Sequence, residues 1–165
     1  MRCQKAPAQS QIRVVRNSIN IYRKYIFMFS FKPIKKMVGF EDVRKVVLNP
    51  AKYILINTLP ADSQDTLIQN TVPCEREEIV INEMISDYNS PDRPILIYGR
   101  NSCDISVDAK YAQLRSLGIN DIYIYSGGLF EWLLLHDIYG ADEFPIRTSA
   151  KTHDLLRFRA PGVFS

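Results

Sequence analysis

The chain has 165 residues, of which 46% are hydrophobic and 24% are charged, enough to bury the core of one globular domain. Three widely spaced cysteines with no CxxC pair, and only two histidines, argue against a disulfide framework and a structural zinc site, so we predict no metal and no other cofactor. No apolar run approaches the ~20 residues that span a bilayer. Unpaired cysteines favour a reducing compartment, and we expect a cytoplasmic protein.

The net charge of +3 is unevenly distributed. The first 40 residues contain nine Lys or Arg and no acidic residue, whereas the rest of the chain contains 12 basic and 18 acidic residues. We therefore predict a basic N-terminal tail over residues 1–36. Such a tail is typical of a mitochondrial targeting segment or of a basic arm that docks on a membrane or organelle, with residues 19–31 as an aromatic amphipathic helix. The simpler alternatives are an unordered tail and sequence upstream of a start at Met37.

From Val38 onward, helical and strand patterns alternate. Apolar spacing predicts helices over residues 41–48, 75–87 and 129–138, and a further helix that carries Val107, Tyr111 and Leu114 on one stripe and closes at Gly118. Short apolar runs predict strands over 53–56, 95–98 and 122–125. This alternation predicts a parallel sheet with helices on both faces. The basic C-terminal tail, 147–165, is predicted to hold one short helix over 152–158.

In such a sheet the ligand site lies at the carboxyl ends of the strands. Three predicted loops reach that edge: 57–62, 99–104 and 126–129. A loop between a parallel strand and a helix N-terminus directs backbone N–H groups at one point, which makes an anion cradle. The candidate cradle residues are Gly99, Arg100, Asn101, Ser102, Asp104 and Ser106, with Cys103 as the candidate nucleophile and Asn57, Gly127 and Gly128 in support.

Several short motifs resemble those of a rhodanese domain over residues 39–139. They are Phe40-Glu41-Asp42-Val43 leading to Asn49-Pro50, the strand that ends at Tyr98, and Gly127-Gly128 with Trp132 four residues on. The last motif matches the strand–Gly-Gly–x3–Trp ending of rhodanese domains. The resemblance implies one α/β domain over residues 37–146, with a five-stranded parallel sheet, helices on both faces and the active loop at 99–104.

The catalytic motif departs from the family pattern. Active rhodanese domains place a cysteine directly after the strand, at the position of Gly99, where it carries a sulfane sulfur as a persulfide. Counting back from Gly118 instead places that cysteine at Asn101, and neither register places it at Cys103. The usual arginine near the helix start is also missing, and Asp104 and Ser106 stand there instead.

Two further signatures are altered. The usual Asp-x-Arg after the second strand reads Asn57-Thr58-Leu59, and the His-Ile-x-Gly-Ala turn reads Leu67-Ile68-Gln69-Asn70-Thr71. The changes favour a rhodanese-like domain that is not an active sulfurtransferase and that acts as a binding or regulatory module.

We expect a small anion, a sulfur donor or a protein as the partner of this module, and no nucleic acid. The alternative is a thiol-dependent enzyme, a sulfurtransferase or a relative of phosphatases and arsenate reductases, with Cys103 as a displaced nucleophile. A helix N-terminus and Arg100 would favour the Cys103 thiolate, whereas the adjacent Asp104 would favour the thiol.

Overall fold

The computed structural model describes residues 34–86, 93–149 and 154–162. A compact unit begins at Lys35. The amphipathic helix predicted over 19–31 lies outside the described residues. Within the described part of the chain, no helix has the length and apolar character needed to cross a membrane.

Six strands form two sheets. In chain order they are β1 (Lys36–Val38), β2 (Ile54–Asn57), β3 (Thr66–Ile68), β4 (Ile95–Tyr98), β5 (Ile122–Tyr125) and β6 (Ile146–Thr148). The main sheet is fully parallel, with the strand order β1-β5-β4-β2. Strands β3 and β6 form a separate antiparallel pair. All four main strands therefore end at the same edge, where the predicted loops begin.

The predicted count of five parallel strands was wrong, because the parallel sheet has four strands within the described residues. The N–H and C=O groups of β3 pair with β6 instead, with Thr66 opposite Thr148. The outer edge of β2 is met by the backbone of Val72, whose N–H donates to the Leu55 carbonyl at 2.8 Å. No free edge of β2 is left at that position for a fifth strand.

Four helices cover the main sheet, and the predicted α/β class with helices on both faces is confirmed. They are α1 (Phe40–Leu48), α2 (Cys74–Ser86), α3 (Ser106–Ser116) and α4 (Gly128–Tyr139). Alternate residues of each strand point to opposite faces. Thus Leu96 and Tyr98 lie in the core that α1 and α4 cover, whereas Ile95 and Ile97 lie in the core that α2 and α3 cover.

The hydroxyl of Tyr98 joins the main sheet to the small one. It accepts the N–H of Ile68 at 3.2 Å and lies 2.9 Å from Thr71 Oγ1, which itself donates to the Ile68 carbonyl. Tyr98 is fully buried, and burial raises the pKa of its hydroxyl well above the ordinary value despite these hydrogen bonds. The neutral hydroxyl thereby fixes the turn that follows β3.

Candidate functional site

The loop 99–106 is held between its neighbours by backbone hydrogen bonds. The N–H of Thr58, just after β2, donates to the Tyr98 carbonyl at 3.0 Å. On the other side, the first turn of α4 donates to the loop: Leu129 N–H to the Gly99 carbonyl at 2.9 Å and Phe130 N–H to the Arg100 carbonyl at 3.0 Å. The three predicted loops therefore meet, as expected for the carboxyl ends of neighbouring parallel strands.

The carboxylate of Asp104 occupies the centre of this loop. Its Oδ2 accepts the Arg100 N–H at 2.7 Å, and its Oδ1 accepts the Ser106 N–H at 3.0 Å and the Ser106 hydroxyl at 2.6 Å. The Ser106 hydroxyl also lies 2.7 Å from Thr58 Oγ1. Two N–H groups of the predicted cradle are thus bound by the chain's own anion.

Two opposing effects act on the pKa of Asp104. Partial burial raises the pKa of this carboxyl, and the hydrogen bonds from the Arg100 N–H and from Ser106 lower it. The hydrogen bonds, with the nearby Arg100 charge, outweigh burial, and the pKa lies below its ordinary value. Asp104 is therefore ionised at neutral pH, as an occupant of an anion cradle must be.

Gly99 has no room for a side chain. A Cβ added there would lie 2.6 Å from Val107 Cγ2 and 2.7 Å from Asp104 Oδ2. Both distances are shorter than ordinary carbon contacts, so the neighbours would have to move. Gly99, one of the two positions at which the resemblance implies a nucleophilic cysteine, is thus closed to a side chain by Asp104 and Val107.

Asn101 is a structural link inside the loop. Its side chain is only 8% exposed, with Oδ1 accepting the Cys103 N–H at 3.0 Å and Nδ2 donating to the Phe158 carbonyl at 2.8 Å. Its own carbonyl accepts the Asp104 N–H at 3.2 Å. Both ends of this amide are engaged by the protein, which leaves it a positioning role.

Cys103 and Ser102 lie on the solvent side of the loop, and both side chains are exposed. They border an open crevice of about 160 Å³, whose lining includes Met37 and Ile124. The neighbouring Ile105 is 84% exposed. The structure therefore places Cys103 in the loop with an exposed side chain, beside a crevice that Asp104 also lines.

Gly128 is needed because two backbone segments approach closely. Its φ is +64°, and a Cβ there would lie 2.8 Å from both the Gly99 carbonyl oxygen and the Asn101 nitrogen. At Gly127 a Cβ would overlap the Glu131 carboxylate. Both glycines thus lie in the turn into α4, where an added Cβ would clash, and at Gly128 the clash is with the backbone of the loop.

Asn57 closes the turn after β2, where its Oδ1 accepts the Leu59 N–H at 3.0 Å. Among the described residues there is no cluster of three or more His, Cys, Asp or Glu that could hold a metal ion.

The profile of the rhodanese-like domain family matches residues 7–135. The chain belongs to the rhodanese-like domain family. This match spans most of the chain, and it begins N-terminal to Phe40, where the first of the matching motifs starts. Among the curated proteins, none matches the sequence of this rhodanese-like domain.

The chain is similar to several solved structures. A full-length protein from Lactobacillus plantarum is 17% identical, with a TM-score of 0.50 over 81% of this chain and 98% of that one. A single-domain sulfurtransferase from Saccharomyces cerevisiae is 21% identical, with a TM-score of 0.48 over 69% and 98% of the two chains. A rhodanese-like domain from Anabaena is 16% identical, with a TM-score of 0.48 over 80% and 93%. At such low identity the likeness to the Lactobacillus protein shows the fold alone.

Sequence reasoning missed two features of this site. One is the occupancy of the cradle by Asp104, for which the signal was an Asp just before a helix, the residue type that accepts N–H groups at helix N-termini. The other is the Phe158 carbonyl, which reaches Asn101 from the far end of the chain. No local pattern predicts that contact.

Proposed function

We propose that this rhodanese-like domain is a binding or regulatory module rather than an active sulfurtransferase, and that the loop 99–106 is its functional surface. One observation carries the proposal: the Asp104 carboxylate occupies the anion cradle beside Gly99. Sulfur transfer through a persulfide needs a thiolate surrounded by N–H donors. In this chain those N–H donors bind the Asp104 carboxylate. This group cannot act as the nucleophile for sulfur and, as part of the chain, cannot be exchanged for a ligand.

A test of sulfur transfer separates the module from an enzyme. Purified protein, Cys103→Ser and the matched control Cys74→Ser are assayed for thiocyanate formation from thiosulfate and cyanide. We expect no turnover above background in any of the three. Turnover in the wild type that disappears in Cys103→Ser and persists in Cys74→Ser would overturn the proposal.

The partner of the loop is proposed to be a small anion, such as sulfate or a sulfur donor, or an acidic group of a protein. The Arg100 guanidinium supports this, since it forms no hydrogen bond or ion pair with the described residues. An external anion has to compete with Asp104 for the N–H groups of Arg100 and Ser106. Binding to the wild type is therefore expected to be weak.

Thermal unfolding with increasing sulfate tests this competition. Asp104→Ala vacates the cradle, and we expect sulfate to raise its Tm more than that of the wild type. Adding Arg100→Ala to the Asp104→Ala protein should reduce this sulfate-dependent gain in Tm. Adding Arg159→Ala instead, which also removes one arginine, should not reduce it. An equal sulfate effect on all four proteins would show that the loop does not bind the anion.

A second candidate function uses Cys103 as a displaced nucleophile. Its exposed side chain and the crevice of about 160 Å³ beside it favour a thiol chemistry on a larger substrate, such as a phosphate or arsenate. Phosphatase and arsenate-reduction assays on the wild type, Cys103→Ser and Cys74→Ser test it. Only activity that depends on Cys103 would support it.

The arrangement along the chain is also part of the proposal. We propose a basic tail over 1–36, a rhodanese-like domain over 37–146 and a C-terminal segment over 147–165, in a cytoplasmic protein. The alternative location is the mitochondrion, because the first 40 residues contain no acidic residue, as is typical of a targeting segment. Fusing residues 1–36 to a fluorescent protein and imaging it in cells distinguishes the two locations.

A further inference from the structure

A short C-terminal segment lies against the candidate loop although it lies beyond the residues that match the family. This segment, residues 154–162, is called the strap below. Its 3₁₀ helix is Leu155–Phe158, and Phe158 is 2% exposed in the core that α4 covers. One aromatic side chain thus anchors the strap in the domain.

The strap is bound to the loop through Asn101. The Asn101 Nδ2 donates to the Phe158 carbonyl at 2.8 Å, while the Oδ1 of the same amide accepts the Cys103 N–H at 3.0 Å. One planar group therefore connects the strap to the segment that precedes Asp104. Movement of Phe158 removes the acceptor that orients this amide.

A second contact connects the strap to the loop after β2. Arg157 Nη1 lies 3.1 Å from both carboxylate oxygens of Asp65, and Nη2 lies 3.4 Å from Ser63 Oγ. Both partners of this ion pair are partly exposed, so solvent and salt weaken it. The strap is thus held by the buried Phe158, the partly buried Leu155, the bond from Asn101 and one weak ion pair, and it contacts both the loop 99–106 and the segment between β2 and β3.

We propose that the strap is a regulatory latch that keeps the loop 99–106 in the arrangement with Asp104 in the cradle. With the strap in place, Asn101 orders the backbone up to Asp104. When the strap is displaced, the amide of Asn101 loses its outer partner and the loop gains freedom to admit another anion. The inference rests on the proposed function, because it regulates the same loop.

Amide hydrogen exchange measured by mass spectrometry tests the latch without any activity. Phe158→Ala removes the buried anchor, and we expect exchange in the peptide covering 99–106 to accelerate by about fivefold. Arg157→Ala removes only the weak ion pair, and we expect a smaller acceleration of the same peptide. The matched control is Arg159→Ala, whose side chain forms no hydrogen bond or ion pair with the described residues, and we expect it to match the wild type.

The reverse direction provides a second test, since coupling between two sites is reciprocal. Asn101→Ala should accelerate hydrogen exchange in the strap. The peptide of α2 serves as the internal reference, because α2 lies on the opposite face of the sheet. Unchanged exchange in the loop of both strap variants would overturn the latch, and so would equal acceleration of the loop and the α2 peptide. If Phe158→Ala does not fold, Arg157→Ala and Asn101→Ala decide the question. The sulfur-transfer assay and the sulfate titration test the proposed function, whereas hydrogen exchange tests the latch. Failure of one proposal can therefore be distinguished from failure of the other.

Discussion

The carboxylate of Asp104 lies 2.7 Å from the point that a Cβ on Gly99 would occupy. These residues are five positions apart, and the loop between them folds back so that the acidic side chain fills the space beside the glycine. The same carboxylate accepts the N–H of Arg100. The space beside Gly99, one of the two positions at which the resemblance predicts a cysteine, is thus filled by an anion of the protein's own chain.

Gly99→Cys by itself is expected to destabilise the protein without creating a sulfurtransferase. The new Cβ would meet Val107 Cγ2 at 2.6 Å and Asp104 Oδ2 at 2.7 Å, an overpacking that costs about 1–3 kcal/mol in the free energy of unfolding. Urea unfolding measures the loss, and thiocyanate formation measures the activity.

The double variant Gly99→Cys/Asp104→Ala is the matched comparison, since it removes one of the two obstructing groups. If the two substitutions acted independently, the loss in free energy of unfolding of the double variant would equal the sum of the two single losses. We expect a smaller loss than that sum, because Asp104→Ala makes room for the cysteine. A Gly99→Cys protein as stable as the wild type would contradict the crowding inferred here.

Asp104→Asn is expected to reduce stability in a pH-dependent way. The pKa of Asp104 is lower in the folded protein than in the unfolded chain, so the carboxylate stabilises the fold above the unfolded pKa of about 3.9. That contribution is lost as the pH falls through the folded pKa. We expect the variant to be less stable by roughly 1 kcal/mol at pH 7 and the difference to shrink in acid.

Chemical unfolding between pH 7 and pH 3 measures this difference directly. Asp142→Asn, on the exposed turn after α4, removes the same charge without a hydrogen-bonded cradle and serves as the control. A difference between wild type and Asp104→Asn that stays constant with pH would show that the charge of Asp104 does not stabilise the loop.

Gly128→Ala is expected to be more damaging than Gly118→Ala. Both residues have a positive φ, +64° and +88°, which costs a residue with a Cβ about 1–2 kcal/mol. At Gly128 the Cβ also meets the backbone of Gly99 and Asn101 at 2.8 Å, whereas at Gly118 nothing lies within 4 Å. We expect the free energy of unfolding of Gly128→Ala to fall by at least a further ~1 kcal/mol.

Comparing Gly128→Ala with Gly118→Ala isolates the cost of the backbone contact at Gly128, because the cost of a positive φ is common to both variants. Urea unfolding of each alanine variant, referred to the wild type, gives the comparison. Equal losses would mean that the backbone contact between α4 and the loop relaxes at no cost.

Tyr98→Phe is expected to destabilise the domain by about 1–3 kcal/mol, because it leaves the buried N–H of Ile68 without its acceptor and removes the hydrogen bond between the Tyr98 and Thr71 hydroxyls. Tyr111→Phe is the control, since the Tyr111 ring is also buried and its hydroxyl forms no hydrogen bond with the described residues. Thermal unfolding of the two variants compares them. A larger loss of Tm for Tyr111→Phe would contradict the role given to the Tyr98 hydroxyl.

The class of the fold and most of its elements could be predicted from local patterns in the amino-acid sequence. Strands β4 and β5 were predicted at the residues where they occur, and the α1, α2 and α4 boundaries were predicted within one residue. These elements are long or strongly apolar, and their periodicity is a local property of the chain. The three-residue strands β1, β3 and β6 were missed because so short a run carries no periodicity, and the wrong count of five parallel strands came from the family resemblance rather than from these patterns.

The arrangement of side chains at the site depends on contacts that form only in the folded protein. The sequence placed Gly99, Cys103 and Asp104 in one loop, but it could not show which side chain would occupy the cradle. That depends on side-chain direction and on neighbours such as Val107. The bond from Asn101 to Phe158 joins residues 57 positions apart, and only the packing of Phe158 in the core brings them together. Local patterns specify elements, whereas contacts between distant segments set which groups meet at the loop.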